Sequence, residues 1–61
     1  MLKELRIKNG LTQNDLSEIL GVKQNTISMW ETKKATPPLN KIGALAKALN
    51  VSEADIIACF K

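Results

Sequence analysis

The stretch from Leu11 to Glu31 constrains this chain more than any other, because it holds two short helix patterns separated by a single glycine. Thr12 and Asp15 stand three residues apart, which is the spacing of a capping box, with a shorter carboxylate than the usual glutamate. The apolar residues of the first helix follow at helical spacing: Leu16, Ile19 and Leu20. Gly21 stands where a helix ends in a left-handed residue, a conformation that costs a residue without Cβ nothing. We therefore predict a helix, a tight turn over residues 20–22, and a second helix over about residues 24–30.

The second helix has two chemically different faces. At about 100° per residue, Thr26, Ile27 and Trp30 fall on one side. The other side carries two carboxamides, a hydroxyl and a thioether: Gln24, Asn25, Ser28 and Met29. Carboxamides pair with N6 and N7 of adenine in the major groove, and an apolar tip such as that of methionine lies against the thymine methyl group. Two helices joined by a short turn, with such a face on the second, are typical of a DNA-binding helix-turn-helix, so we predict that these four residues read bases.

The positive charge of the chain is concentrated around this second helix. The formal net charge is +3, and residues 1–21 and 42–61 each balance their cations against their carboxylates. Between them, four lysines face the single carboxylate of Glu31: Lys23, Lys33, Lys34 and Lys41. This is the electrostatic footprint of a protein that binds a polyanion, and we predict that Lys23, Lys33 and Lys34 contact phosphates. The alternative is that the lysines serve solubility alone.

The start of the first motif helix has a structural and a functional interpretation, which are compatible. Thr12 and Gln13 are its N-cap and first-turn residues. They are also candidate phosphate contacts, because the N–H groups at a helix N-terminus form an anion site and this helix crosses the DNA backbone. Trp30 is a candidate base-stacking platform, but it lies three residues from Ile27 on the apolar side, which favours core packing.

The rest of the chain is predicted to be helical scaffold. A first helix covers about residues 2–8 with Leu2 and Leu5 facing inward, and the two prolines make residues 32–38 a loop. A helix over about residues 39–49 has an inner face of five residues: Leu39, Ile42, Leu45, Ala46 and Leu49. Asn50 follows it and suits the left-handed cap of a helix end. Ser52 and Asp55 then begin a last helix that runs to about Phe60. We find no strand, and therefore predict one all-α domain over residues 1–61, a compact four- or five-helix bundle with a helix-turn-helix motif.

Catalysis, metal binding and membrane insertion find no support in the sequence. The chain has no histidine and no tyrosine, and its single cysteine, Cys59, has no neighbouring base and no second thiol. We therefore expect no enzyme activity, no metal, no cofactor and no small-molecule ligand. With no apolar run near 18 residues and no secretory leader, we expect a cytoplasmic protein that does not contact membranes.

The chain resembles the helix-turn-helix domains of the lambdoid-phage repressor and Cro type, the Xre family, over roughly residues 2–57. The matching pieces are Leu5-Arg6, Gly10-Leu11-Thr12-Gln13, Leu16-Ser17, Leu20-Gly21-Val22, Ile27-Ser28, Trp30-Glu31, Pro37, Leu45-Ala46-Lys47-Ala48-Leu49 and Val51-Ser52. The resemblance implies a lambda repressor-like fold, binding to double-stranded DNA, and a small transcriptional repressor. It also implies an ion pair between Arg6 and Glu31. The chain departs from the family pattern at Lys23, where a serine N-cap is usual, and at Thr32-Lys33, where Asn-Gly is usual.

The resemblance further implies a homodimer, because identical domains of this type commonly meet near the last helix. Ile57 and Phe60 are the candidate interface residues, since that helix has more apolar side chains than one intramolecular face can bury. Two reading helices in successive major grooves predict a near-palindromic operator with half-site centres roughly 10 base pairs apart. Two alternatives stay open: Phe60 folds over the core beside Leu2 and Leu5 and leaves a monomer, or the domain is a protein-interaction module such as an antitoxin or anti-regulator.

Overall fold

A computed structural model describes residues 1–61 and contains five α-helices and no strand. The helices are α1 (Leu2–Lys8), α2 (Gln13–Leu20), α3 (Gln24–Glu31), α4 (Leu39–Leu49) and α5 (Glu53–Ala58). The predicted all-α bundle is confirmed. Of the predicted four or five helices, the structure has five. The last helix is shorter than predicted, because it ends at Ala58 and leaves Phe60 in the turn that follows. None of these helices is both long and apolar enough to span a membrane.

Local chemistry sets where the helices begin and end. Thr12 caps α2 and Ser52 caps α5. In both cases the hydroxyl oxygen accepts from the backbone N–H of the aspartate three residues later, and the carboxylate of that aspartate accepts from the backbone N–H of the capping residue. Gly21 ends α2 at φ 69° and Asn50 ends α4 at φ 56°, both in the left-handed conformation that the sequence predicted. These residues lie within a few positions of the helix ends, so the local sequence determines each boundary.

The core lies where α2 packs against α3 and α4, with α1 against α3 and α5 against α4. Nine buried residues form it: Leu2, Leu16, Leu20, Ile27, Trp30, Leu45, Ala46, Leu49 and Ile56. Trp30 is only 3% exposed, so it packs in the core and cannot serve as a stacking platform for bases. α3 therefore packs against the core through Ile27 and Trp30, and its opposite face points outward.

Two residues predicted to face the core do not. Leu39 is 86% exposed, because it is the first residue of α4 and helical side chains tilt towards the N-terminus, which carries this one past the end of the helix. Ile19 is 55% exposed. The small Ser17 takes the buried place on α2 instead, where its hydroxyl donates to the Asn14 carbonyl at 2.7 Å. The buried side of α2 is therefore centred on Leu16, Ser17 and Leu20, with Ile19 at its edge.

Candidate nucleic-acid interface

The four predicted base-reading residues lie together on the outward face of α3. Gln24 and Asn25 are exposed, and Ser28 and Met29 are half-buried. The loop that follows α3 is joined to the end of this helix, because the N–H groups of Lys34 and Ala35 donate to the Met29 carbonyl at 2.9 and 3.3 Å. The face is uncharged, and its two carboxamides at the start of the helix are the side chains most open to a ligand.

Lys23 begins α3 without acting as a side-chain cap. Its backbone is extended, at φ −76° and ψ 150°, and its side chain makes no capping hydrogen bond. The first N–H groups of a helix have no acceptor within the helix, and no other protein acceptor is present for those of Gln24 and Asn25. Both the Lys23 ammonium and these N–H groups are therefore available to an anion.

Lys33 and Lys34 are displayed by a loop that is tied to the end of α3. Lys33 donates its N–H to the Trp30 carbonyl at 3.3 Å and takes the left-handed conformation, with φ 61°. A lysine therefore occupies a backbone position that glycine adopts without steric cost. Both side chains are exposed, and neither they nor Lys23 pair with a carboxylate. Three unpaired cations thus flank α3, one just before its first residue and two just after its last.

Lys41 does not join them. Its ammonium group donates to the Leu20 carbonyl at 2.8 Å in a half-buried position, so this charge is used inside the protein. The sequence places Lys41 in the basic segment, but no local pattern indicates its contact with Leu20, which is 21 positions away.

At the start of α2, Thr12 uses part of its hydrogen-bonding capacity within the protein. Its N–H donates to Asp15 Oδ2 at 2.9 Å, and its hydroxyl oxygen accepts from the Asp15 N–H at 3.0 Å. The hydrogen bonds from the Thr12 backbone and side chain lower the pKa of Asp15, so this carboxylate stays ionised beside the helix start. The Thr12 N–H is therefore taken by Asp15, and a phosphate contact by the exposed Thr12 hydroxyl stays a prediction.

Arg6 and Glu31 form a nearly enclosed ion pair, with side chains only 10% and 4% exposed. Arg6 Nε donates to Glu31 Oε2, Nη2 donates to Oε1 at 3.4 Å, and Nη1 donates to the Leu11 carbonyl at 2.8 Å. Gln13 Nε2 donates to Glu31 Oε1 at 3.0 Å, a contact that no sequence pattern indicated. One carboxylate therefore joins α1, the start of α2 and the end of α3. Since enclosed charge pairs add little net stability, we assign this cluster to orientation of the helices.

The C-terminal residues divide between core and surface. Ile56 is completely buried, Phe60 is half-buried and packs against the core, and Ile57 is 42% exposed. Of the two candidate dimer residues, Ile57 therefore has the clearer outward surface, while Phe60 already has intramolecular contacts.

A family model described as helix-turn-helix matches residues 2–56, a range that includes α1 to α4 and the first four residues of α5. No curated protein and no solved structure gives a significant match to the chain. The match covers the outward face of α3, the loop with Lys33 and Lys34, and the ion pair that joins α1 to α3. The chain therefore belongs to the helix-turn-helix family of the Cro and phage-repressor, Xre-like type, a family of DNA-binding regulators.

Proposed function

We propose that the protein is a small Cro-like transcriptional repressor that reads the major groove of a near-palindromic operator with α3. One observation carries the proposal: α3 buries Ile27 and Trp30 and turns outward an uncharged face, and three exposed, unpaired lysines flank the helix at its two ends. A positive rim around a neutral hydrogen-bonding face suits duplex DNA, because lysines neutralise phosphates while carboxamides read base edges.

Base reading is assigned to the face of α3. Gln24 and Asn25 each offer a donor and an acceptor to adenine, and Met29 and Ser28 lie one turn further along the helix. No arginine, the commonest reader of guanine, is present on this face. We therefore propose that A·T pairs dominate the directly contacted positions, with Lys23 as the one residue in reach of a guanine.

Backbone contacts are assigned to both ends of the motif. Lys23, Lys33 and Lys34 supply the charge, and the Thr12 hydroxyl and the Gln13 amide supply neutral donors at the start of α2. These groups set the position of α3 on the duplex and carry no sequence information of their own.

We further propose that residues 1–61 act as one domain and bind DNA as a homodimer joined near α5. The exposed surface of Ile57 beside Phe60 supports this arrangement. A two-fold dimer places the two copies of α3 in successive major grooves, about 34 Å apart. A repressor of this kind acts by occupying a site that overlaps a promoter.

Selection from a pool of randomised duplexes with the purified protein tests the proposal. The expected product is a near-palindrome with A·T-rich half-sites about 10 base pairs apart. A Gln24→Ala, Asn25→Ala double variant, selected in parallel, should lose the preference and retain binding to unrelated duplexes. Enrichment of G·C-rich half-sites by both proteins would refute the base-reading assignment. No binding to any duplex at low salt would favour a protein-interaction module instead.

A further inference from the structure

We propose that Asn9 is a site of spontaneous deamidation, and that the reaction removes the hydrogen bond that ties the end of α1 to the end of α4. The reaction needs only the chain and water, so this inference goes beyond the proposed function and does not depend on it. Asn9 is the one asparagine of the chain that precedes a glycine. The other four precede residues with a side chain: Asn14, Asn25, Asn40 and Asn50.

In the folded protein the Asn9 amide joins two helix ends. Asn9 Nδ2 donates to the Leu5 carbonyl at 2.8 Å and to the Leu49 carbonyl at 2.9 Å, which uses both of its hydrogens. Leu49 is the last residue of α4, so its carbonyl finds no donor within that helix. Because α1 packs mainly against α3, this hydrogen bond is what anchors the end of α1 to α4.

Gly10 makes Asn9 reactive, because glycine has no side chain to shield its backbone nitrogen and lets the chain bend freely. That nitrogen attacks Cγ of Asn9 and closes a succinimide ring. The bond from Cγ to Nδ2 breaks, and the amide leaves as ammonia with the proton of the Gly10 N–H. Water then opens the ring. Cleavage at Cγ gives aspartate, and cleavage at the main-chain carbonyl gives isoaspartate, whose backbone runs through the former side chain.

The fold slows this reaction without closing the site, since Asn9 and Gly10 are both exposed. The Gly10 N–H donates to the Ile7 carbonyl at 2.9 Å, so the attacking nitrogen is held, as is the leaving amide. Both have to be released before the ring can form. α1 has only seven residues and no side-chain cap at its start, which makes local opening easy. Asn9 therefore reacts from a locally opened state.

The product cannot restore the contact between the two helices. An ionised carboxylate has no hydrogen to donate and would face two carbonyl oxygens. Lys8 is the only charged side chain that lines the cleft around Asn9, so no negative charge there opposes the new acid. Isoaspartate also lengthens the main chain just before Leu11, whose carbonyl accepts from Arg6 Nη1 at 2.8 Å. Deamidation therefore loosens the end of α1 at two contacts.

Peptide mapping by mass spectrometry tests the assignment, because replacement of an amide by an acid changes the mass of one peptide. The protein is incubated at mildly alkaline pH, which favours loss of the Gly10 N–H proton, in buffer and in denaturing urea. Asn9 should convert first of the five asparagines in both. In buffer it should convert more slowly by about tenfold or more, because the reaction waits for α1 to open.

Two results would contradict this. Earlier conversion of another asparagine in buffer would overturn the assignment of Asn9, and equal rates in buffer and urea would show that its hydrogen bonds do not hold it. Gly10→Ala is the control for the chemistry. It is measured in urea, where the strain of a Cβ at φ 71° has no effect, and should convert Asn9 no faster than the other asparagines.

Asn9→Asp tests the loss of the contact, because it installs one product directly. It leaves the Leu49 carbonyl without a donor, so the ratio of unfolded to folded protein in urea should rise by about threefold to tenfold. Asn40→Asp makes the same change of charge at an exposed position of α4, and should alter that ratio by less than about twofold. Unaltered stability in Asn9→Asp would overturn the anchoring role of the amide.

Discussion

The ammonium group of Lys41 donates a hydrogen bond of 2.8 Å to the main-chain carbonyl of Leu20. Leu20 is the last residue of α2, so its carbonyl is among those that find no partner within the helix. A cation at that end also interacts favourably with the helix dipole. The contact holds the start of α4 against the turn of the helix-turn-helix, and it removes Lys41 from the set of cations available to DNA.

Lys41→Met should therefore destabilise the fold while leaving the salt dependence of DNA binding unchanged. The half-buried carbonyl loses a charged donor, which should lower the free energy of unfolding by about 1–2 kcal/mol. Urea unfolding followed by circular dichroism measures this. Lys47→Met, at an exposed position of the same helix, is the control and should change stability by less than about 0.5 kcal/mol.

Lys33→Gly should stabilise the protein and weaken its binding to DNA. Lys33 sits at φ 61°, where a residue with a Cβ is strained, so glycine should raise the free energy of unfolding by roughly 0.5–1 kcal/mol. Thermal unfolding measures the gain. Lys34→Gly should give no such gain, because the φ of Lys34 is not positive. Equal effects of the two substitutions would show that the strain at Lys33 is negligible.

The lysine loop should dominate the salt dependence of DNA binding. Each lysine–phosphate contact contributes about −0.9 to the slope of log affinity against log salt, so replacing Lys33 and Lys34 by alanine should flatten it by about two units. Fluorescence anisotropy over a salt series gives the slope. The charge-matched control replaces Lys3 and Lys47, which lie outside the basic segment, and should leave the slope nearly unaltered. An unaltered slope in the loop variant would remove both lysines from the interface.

Asn25→Ala should weaken binding to the selected operator and relax the choice at one base pair. Loss of a bidentate contact to adenine costs about 1–3 kcal/mol, and binding to unrelated duplexes should change little. Competition with single-base operator variants measures the discrimination. Asn14→Ala removes a carboxamide outside α3 and should preserve the base preference. Retained discrimination at every position in Asn25→Ala would exclude Asn25 from base reading.

The proposed dimer is best tested at Ile57, because Phe60 also packs against the core. Ile57→Gln should lower the cooperativity of binding to a palindromic site and leave affinity for a half-site unchanged. Phe60→Ala should lower both cooperativity and thermal stability. Ile19→Gln is the matched control, since Ile19 is an exposed isoleucine on α2, and it should leave cooperativity as it is. Intact cooperativity in Ile57→Gln would favour the monomer.

The sequence by itself determined the features that depend on neighbouring residues. The capping boxes at Thr12 and Ser52 and the left-handed ends at Gly21 and Asn50 depend only on residues within a turn of each helix end, so the pattern predicted them. The sequence also predicted that Ile27 and Trp30 lie on the buried side of α3, because residues three positions apart fall on the same face of a helix with 3.6 residues per turn. The ion pair of Arg6 with Glu31 came from family resemblance alone.

Only the tertiary structure decided which residues meet across the bundle. The hydrogen bonds of Gln13 to Glu31 and of Lys41 to Leu20 join residues 18 and 21 positions apart, and nothing in either neighbourhood encodes them. The exposure of Leu39 and Ile19 has the same origin, because a helical pattern indicates an apolar side and not how far a neighbouring helix covers it. Helix ends obey local sterics and hydrogen bonding, whereas contacts between helices depend on how all five pack together.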